Sequence, residues 1–255
     1  MALQPLWHLW CLVLLALLSL ATCAHGTEPI SGYQFQSADT QKLQDDPFMN
    51  PGMLWVDAGK RLFNTKAGAA DKACSDCHQT FEGTFNDLPK LNPRTGSLVN
   101  LTTQIQLCRV DQQQAPAISY ESEAALALTS FITYQSHGQP VQPVTDPDLA
   151  AYLESGNTYF SRRKGQLDLA CDDCHERSVG KRLRGDIISE GHGNGYPIYR
   201  LEWQSAGSLH RRLRSCDIGV RAEPYALGSQ AYIEVELFLR DRAAGLAIET
   251  PAVRR

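Results

Sequence analysis

Apolar and polar residues alternate at helical spacing in two stretches, one near the end of each half of the chain. The stretches run from Ser122 to Tyr134 and from Ser229 to Ala243, and their periodicity predicts two amphipathic helices. A further helix is expected ahead of the cysteine-rich motif in each half. Strand patterns are nearly absent, and no hairpin can be assigned. The pattern therefore predicts a mainly α fold with little strand.

An N-terminal block is apolar without interruption, which distinguishes it from the amphipathic stretches. The block, LWCLVLLALLSLATCA, ends in small residues and precedes the polar sequence EPISGYQFQS, an arrangement typical of a secretory signal peptide. As a membrane anchor, the run from Leu12 to Leu20 is too short to cross about 30 Å of hydrocarbon. We therefore expect a signal peptide over residues 1–24, with a lipoprotein site at Cys23 as an alternative. No membrane span is expected in the mature chain.

Charge and cysteine content narrow the class of protein. The 255-residue chain has a formal net charge of −4, which gives no reason to expect nucleic acid as a partner. Roughly 230 mature residues are enough for one large core or two small ones. Beyond the signal region, the six cysteines are Cys74, Cys77, Cys108, Cys171, Cys174 and Cys216. An even number in an exported chain would ordinarily suggest disulfides, but their spacing indicates different chemistry.

Four of these cysteines form two C-x-x-C-H motifs, CSDCH at 74–78 and CDDCH at 171–175. Two thiols one helical turn apart reach the two vinyl groups of one porphyrin, and the adjacent imidazole binds its iron. A zinc site or a redox dithiol would not require a histidine after each pair. The motifs therefore predict two covalently bound haem c groups. The attachment residues are Cys74, Cys77, Cys171 and Cys174, and the proximal ligands are His78 and His175.

Both motifs lie inside a longer internal repeat. Five residues precede each motif at matching offsets: Gly59, Phe63, Gly68, Asp71 and Ala73 in the first copy, and Gly156, Phe160, Gly165, Asp168 and Ala170 in the second. The match resumes downstream between Ser122, Ala124, Phe131 and Gly138 and their counterparts Ser229, Ala231, Phe238 and Gly245. The duplication predicts two tandem class I cytochrome c-like domains, at residues 25–145 and 146–255. The proline-rich segment 137–148 is expected to be an extended linker.

The sixth iron ligand cannot be the methionine that such domains ordinarily supply. The only methionines after the signal region, Met49 and Met53, precede the first motif. The remaining downstream donors are Cys108, His137, His192, His210 and Cys216. One thiolate per haem is the interpretation we favour, while a Cys108–Cys216 disulfide and bis-histidine ligation remain as alternatives. A thiolate lowers the potential of a haem, so two such centres indicate chemistry at sulfur rather than simple electron relay.

Arginines surround the second unassigned cysteine; they are Arg200, Arg211, Arg212, Arg214 and Arg221. Part of this cluster is compatible with a solvated basic face. Arg212, however, lies four positions before Cys216 and would share its helix face. A guanidinium there would bind a sulfur oxyanion through paired hydrogen bonds and would favour thiolate over thiol. The first half has only Arg109 beside Cys108, so we predict that the second haem is catalytic and the first structural or accessory.

The chain resembles the SoxA family, the dihaem cytochrome subunits of the SoxAX complexes of bacterial thiosulfate oxidation. The resemblance is most specific in GHGNGYPIYRLEWQSAGSLHRRLRSC, AEPYALGSQAYIEVELFL and GLAIETPAVRR. It implies that Cys108 is the distal ligand of the first haem and Cys216 that of the second. Cys216 would also be the catalytic cysteine, found as a persulfide in the family, and Arg212 would bind the substrate.

The resemblance further implies a reaction, a set of partners and a location. The chain would be an L-cysteine S-thiosulfotransferase that joins thiosulfate to a cysteine persulfide on a SoxYZ-type carrier. Two electrons would pass through haem to a SoxX-type monohaem cytochrome, its partner in a heterodimer, and then to a small cytochrome c in the periplasm. One alternative is a non-catalytic dihaem electron-transfer cytochrome, which would not need the arginine cluster. A dihaem peroxidase would require an open distal site and is disfavoured by the candidate sixth ligands.

Overall fold

A computed structural model describes residues 28–79 and 84–255, so the predicted signal peptide lies outside the described residues. Helices α1 to α9 are Ala38–Asp45, Met53–Phe63, Thr84–Asp87, Leu101–Asp111, Glu123–Tyr134, Ala150–Ser161, Cys171–His175, Leu209–Gly219 and Gln230–Asp241. Short 3-10 helices are Gly32–Phe35, Cys74–Asp76 and Pro147–Leu149. Among the described residues, no helix is both long enough and apolar enough to span a bilayer.

Strand is confined to short segments, as the sequence predicts. Strands β1 to β7 are Lys90–Leu91, Leu98–Val99, Arg182–Leu183, Asp186–Ile187, Ile198–Arg200, Ser205–Gly207 and Ala252–Arg254. Strands β1 and β2 form one antiparallel pair, and β3 and β4 form another. Strand β5 pairs antiparallel with β6 and parallel with the C-terminal strand β7. The mainly α expectation is confirmed.

The two predicted amphipathic helices are present as α5 and α9. Helix α5 begins directly after Ser122, whose hydroxyl accepts the backbone N–H of Ala125 at 3.2 Å and so caps the helix. Helix α9 begins after the equivalent Ser229 and ends at Asp241, two residues earlier than the sequence pattern indicates. The predicted helix ahead of each motif is also present, as α2 in the first half and α6 in the second.

Each half is built around the same helix crossing, α2 on α5 and α6 on α9. The rings of Phe63 and Phe131 lie 5.4 Å apart in the first crossing, and those of Phe160 and Phe238 also lie 5.4 Å apart in the second. At both crossings a glycine of the first helix contacts the backbone of the second helix. A Cβ at either glycine would overlap that backbone, so a larger residue does not fit there. The internal repeat is therefore a repeat of packing as well as of sequence.

The loop before each C-x-x-C-H motif has the same backbone in both halves. Gly68 and Gly165 have φ angles of 69° and 70°, and Asp71 and Asp168 have φ angles of 48° and 49°. Each loop closes with an isolated bridge and then enters the motif through a backbone N–H bonded to the aspartate just before the motif's second cysteine, at 2.8 Å in the first half and 2.9 Å in the second. The two motifs are thus presented by equivalent turns.

The proline-rich segment between the halves is only partly extended, since it begins in a turn and ends in the 3-10 helix Pro147–Leu149, and it is fixed against the second half. Val141 is buried, and its N–H donates to the carbonyl of Leu246 at 2.8 Å. The N–H of Ile248 donates to the carbonyl of Gln139 at 2.9 Å. The N-terminal region also reaches the second half, since Asn50 donates to the carbonyl of Pro251 at 2.9 Å. The connection therefore holds the halves together instead of tethering them loosely.

Replacing the glycine at either helix crossing should destabilise the protein. In Gly59→Ala the new Cβ would lie 2.7 Å from the Cβ of Phe131, and in Gly156→Ala it would lie 2.6 Å from that of Phe238. Because helix backbones must separate to relieve such overlap, each change should lower the free energy of unfolding by about 1–3 kcal/mol, measured by urea denaturation. Gly219→Ala, where a Cβ meets nothing within 4 Å, is the control; equal losses at all three positions would contradict the packing account.

Candidate active site

The second C-x-x-C-H motif forms the short helix α7, and helix α8 brings Cys216 to face it. The imidazole of His175 donates from Nδ1 to the carbonyl of Ser189 at 2.7 Å, which leaves Nε2 as the nitrogen available to a metal. Gly191 lies against this ring, where a Cβ would come within 2.7 Å of Nδ1. His175 lies close enough to Cys216 to lower the pKa of its thiol. A nitrogen donor and a sulfur donor therefore face each other.

The two motif thiols lie beside the same sulfur. Burial raises the pKa of Cys171 to about 11, the Lys164 charge opposes this, and the charge of Cys216 adds to it. Burial also raises the pKa of Cys174, again with a contribution from Cys216. Two thiols at the attachment spacing, with a facing imidazole and third sulfur, fit a covalently attached haem c with one nitrogen and one sulfur ligand.

The first motif has an equivalent set of donors. Burial raises the pKa of Cys74, the Arg109 charge lowers it, and the Cys108 charge raises it further, so helix α4 brings Cys108 next to the motif. The buried amide of Gln113 donates to the Lys72 carbonyl at 2.9 Å and lies 3.7 Å from the Cys74 sulfur. Cys77 and His78 complete the turn. This set fits a second haem c in the same way.

No disulfide links the two unassigned cysteines, since all six cysteines of the described chain are free. The histidines that are alternative ligands by sequence bond to other protein groups. His137 lies 3.1 Å from the Thr250 carbonyl, His192 lies 2.8 Å from a Glu190 oxygen, and Nδ1 of the buried His210 accepts the N–H of Gly228 at 3.1 Å. The geometry therefore favours one sulfur ligand per motif over the disulfide and bis-histidine alternatives.

Arg212 is the arginine of the basic cluster that faces Cys216. The Cys216 charge is the main reason that the pKa of Arg212 is raised, against the opposing effect of burial. Its guanidinium makes no side-chain hydrogen bond or ion pair with any part of the chain that the structure describes. Arg211 instead lies over the ring of Trp203, 4.2 Å from its centroid, and the exposed Arg214 donates to a backbone carbonyl. Only part of the predicted cluster is thus directed at the cysteine.

The surroundings of Cys216 favour its thiolate. Burial alone raises the pKa of this thiol, but the Arg212 charge and the nearby His175 lower it by more, so the net shift is downward. A cation with unused donors beside an ionised sulfur is an arrangement that can bind an anion next to a nucleophile.

A buried carboxylate next to Cys216 was not recognised in the sequence. Asp217 accepts hydrogen bonds from the hydroxyls of Tyr159 and Tyr232, both at 2.7 Å, and lies 2.6 Å from the ammonium of Lys164. Burial and the bonds to Asp217 raise the pKa of both tyrosines. These contacts fix helix α8 to α6 and α9. The only signal in the sequence is a single acid in a basic helix, which does not identify its partners.

Comparison with known proteins agrees with this arrangement. The family model for the SoxA/TsdA cytochrome c domain matches residues 58–141. The L-cysteine S-thiosulfotransferase subunit SoxA of Pseudaminobacter salicylatoxidans is 38% identical over 89% of this chain and 82% of its own length. The chain belongs to the SoxA family. The SoxA subunit of Rhodovulum sulfidophilum is 34% identical over 88% of this chain and 79% of its own length.

A solved SoxA-family structure also has the same fold. The crystal structure of SoxXA from P. pantotrophus matches with a TM-score of 0.86 and 31% identity, over 89% of this chain and 87% of that chain. The tandem cytochrome c-like fold expected from the repeat is confirmed by this match, and haem c is the cofactor that the family's cytochrome c domain implies.

Removing the carboxylate of Asp217 should strongly destabilise the second half. Asp217→Ala would leave the Lys164 ammonium buried without its partner and two tyrosine hydroxyls without their acceptor, a loss of about 3–5 kcal/mol in the free energy of unfolding. Lys66→Ala breaks the exposed Lys66–Asp71 pair and should leave unfolding unchanged, since exposed pairs contribute little. Chemical denaturation of both variants tests this, and similar midpoints for the two would contradict it.

Proposed function

We propose that this chain is the SoxA subunit of an L-cysteine S-thiosulfotransferase, which conjugates thiosulfate to a cysteine persulfide on a SoxYZ-type carrier in bacterial sulfur oxidation. The observation that carries the proposal is the Arg212 guanidinium, which lies four residues before Cys216 on α8, interacts with the Cys216 charge and makes no side-chain hydrogen bond or ion pair with the described residues. An electron-relay cytochrome has no use for an unpaired, half-buried cation at its ligand. The names of the SoxA relatives support the same activity.

Two haem c groups are part of this proposal. The first is assigned to Cys74, Cys77, His78 and Cys108, and the second to Cys171, Cys174, His175 and Cys216. Bound haem supplies the one-electron redox chemistry by which two electrons reach a small cytochrome c. The donor sets around both motifs support this assignment, and residues 25–145 and 146–255 would each hold one haem.

The residues around Cys216 suit a two-step sulfur transfer. Arg212 binds the sulfonate of thiosulfate through charged hydrogen bonds. A sulfur–sulfur bond forms between the sulfur of Cys216 and the sulfane sulfur of thiosulfate, and two electrons leave to ferric cytochrome c, a one-electron acceptor used twice. The carrier's persulfide then attacks the sulfane sulfur, the bond to Cys216 breaks, and the Cys216 thiolate is regenerated.

The proposed partners are a SoxX-type monohaem cytochrome in a heterodimer, the SoxYZ-type carrier, thiosulfate and a small cytochrome c. The matching P. pantotrophus structure is of a SoxXA complex by its name, which supports the heterodimer. The location that suits these partners and the predicted signal peptide is the periplasm, where haem is attached to exported chains.

The purified, exported protein should contain two haems per chain. Each C-x-x-C-H motif is complete and is presented by an equivalent turn, so both should be loaded. Pyridine haemochrome analysis should give two haems for the wild type and one for the double variant Cys74→Ala/Cys77→Ala. A wild-type value near one would contradict the two-haem assignment.

Arg212 and Cys216 should act as a unit. Cys216→Ala should abolish thiosulfate turnover with the carrier and cytochrome c, because the other two cysteines of the second half, Cys171 and Cys174, would be bound to haem. Arg212→Lys keeps a charge but loses the planar fork. It should lower kcat/KM by roughly thirty-fold to a thousand-fold, equivalent to about 2–4 kcal/mol, as expected for one charged hydrogen-bonding group.

The control for the arginine variants is Arg214→Ala, which removes an exposed guanidinium of the same cluster and should leave turnover unchanged. Wild-type turnover in Arg212→Ala would contradict the anion-binding role. Wild-type turnover in Cys216→Ala would favour the non-catalytic electron-transfer alternative instead.

A further inference from the structure

The helices that supply the two facing sulfurs, α4 and α8, are structural counterparts. Each has eleven residues and is capped by a polar side chain, Asn100 at the start of α4 and Ser208 at the start of α8. Cys108 and Cys216 each lie eight residues after their cap. A residue at a given offset from one cysteine can therefore be compared directly with the residue at the same offset from the other.

The residue four positions before the cysteine is charged in α8 and neutral in α4. In α8 it is Arg212, whose charge faces Cys216. In α4 it is Gln104, whose side-chain amide donates to the Cys108 sulfur at 3.5 Å. Both are long polar side chains on the helix face of the cysteine, but the amide is neutral and has two N–H donors where the guanidinium has five.

The cations near the first motif lie at other positions, and one of them keeps a buried donor, Arg109 Nε, without a partner among the described residues. Arg109 follows Cys108 directly and lies 3.4 Å from the side-chain oxygen of Gln113. Arg94 forms an ion pair with Asp111. On the helix face of Cys108 an anion would therefore meet a neutral amide that already bonds to sulfur, where at Cys216 it would meet a guanidinium.

We propose that Gln104 prevents thiosulfate from binding at Cys108, so that thiosulfate binds only at Cys216. Its amide bonds to the Cys108 sulfur at the position where α8 carries the Arg212 guanidinium, so the first site has no charged donor at this position and keeps its sulfur as a ligand only. This proposal rests on the proposed role of Arg212, because it treats the exchange of arginine for glutamine as the difference between the two sites.

Exchange of the two side chains tests the proposal in the complete dihaem protein. Thiosulfate is added to the oxidised protein without carrier, and low-temperature paramagnetic resonance follows the two haem signals; Cys108→Ala identifies the first. Thiosulfate should perturb only the second signal in the wild type, both signals in Gln104→Arg, and neither in Arg212→Gln. The apparent Kd at the second site should rise roughly tenfold or more in Arg212→Gln. Gln106→Arg adds the same charge on another face of α4 and should behave as wild type.

The possible failures are distinguishable. If Arg212→Gln still shows the wild-type response, the anion-binding role of Arg212 is wrong, and with it the proposed function. If Arg212→Gln loses the response but Gln104→Arg gains none at the first signal, the role of Gln104 alone is wrong.

A second variant tests the hydrogen bond even if Gln104→Arg fails to load its first haem. Gln104→Leu removes the N–H donor from the Cys108 sulfur, and loss of such a bond leaves the sulfur a stronger electron donor. The midpoint potential of the first haem should therefore fall while that of the second is unchanged, as measured by redox titration. An unchanged first potential would contradict the contact between Gln104 and the ligand.

Discussion

Close approach of two helices at a glycine determines where everything else in each half lies. A Cβ at Gly59 or Gly156 would overlap the backbone of the opposing helix, so α2 and α6 can pack as tightly as they do only with glycine there. One turn later, Phe63 and Phe160 contact equivalent aromatic rings in a tilted arrangement, with interplanar angles of 49° and 54°. Each of these helices leads into the loop that presents a C-x-x-C-H motif. The crossing therefore fixes where that loop starts relative to the helix that ends the half.

The duplicated packing also explains which features could be predicted from the sequence. The repeat, both motifs and the helices α5 and α9 have local signatures in spacing or periodicity, and each was found where the pattern indicated. Asp217 and the fixed linker have none, because their partners are distant in sequence: Asp217 bonds to Tyr159 on another helix, and Val141 to Leu246. The arginine cluster was only partly interpretable, since side-chain direction on α8 separates Arg212 from Arg211 although the two are adjacent.

Within this shared framework the two sulfur-bearing helices have diverged mainly in charge. Four residues before the cysteine, α4 has Gln104 and α8 has Arg212; one residue after it, α4 has Arg109 and α8 has Asp217. In the second half the cation is directed at the sulfur, while the acid is turned away from it into a buried cluster with Lys164. Four residues before the cysteine, the same backbone therefore carries a cation in the second half and a neutral amide in the first.

The first half contributes to the second site even if its own haem is only accessory. Helix α8 is capped by Ser208, whose N–H and hydroxyl both donate to the carboxylate of Glu121, at 3.0 and 2.6 Å. The same Ser208 hydroxyl accepts the N–H of Arg211 and caps the helix. Two residues along, His210 stacks on Tyr120, with ring centroids 4.9 Å apart. The direction of the helix that carries Arg212 and Cys216 is therefore fixed at one end by residues of the first half and at the other by Asp217. The fold of the first half would thus still be needed to position this helix in a chain without the first haem.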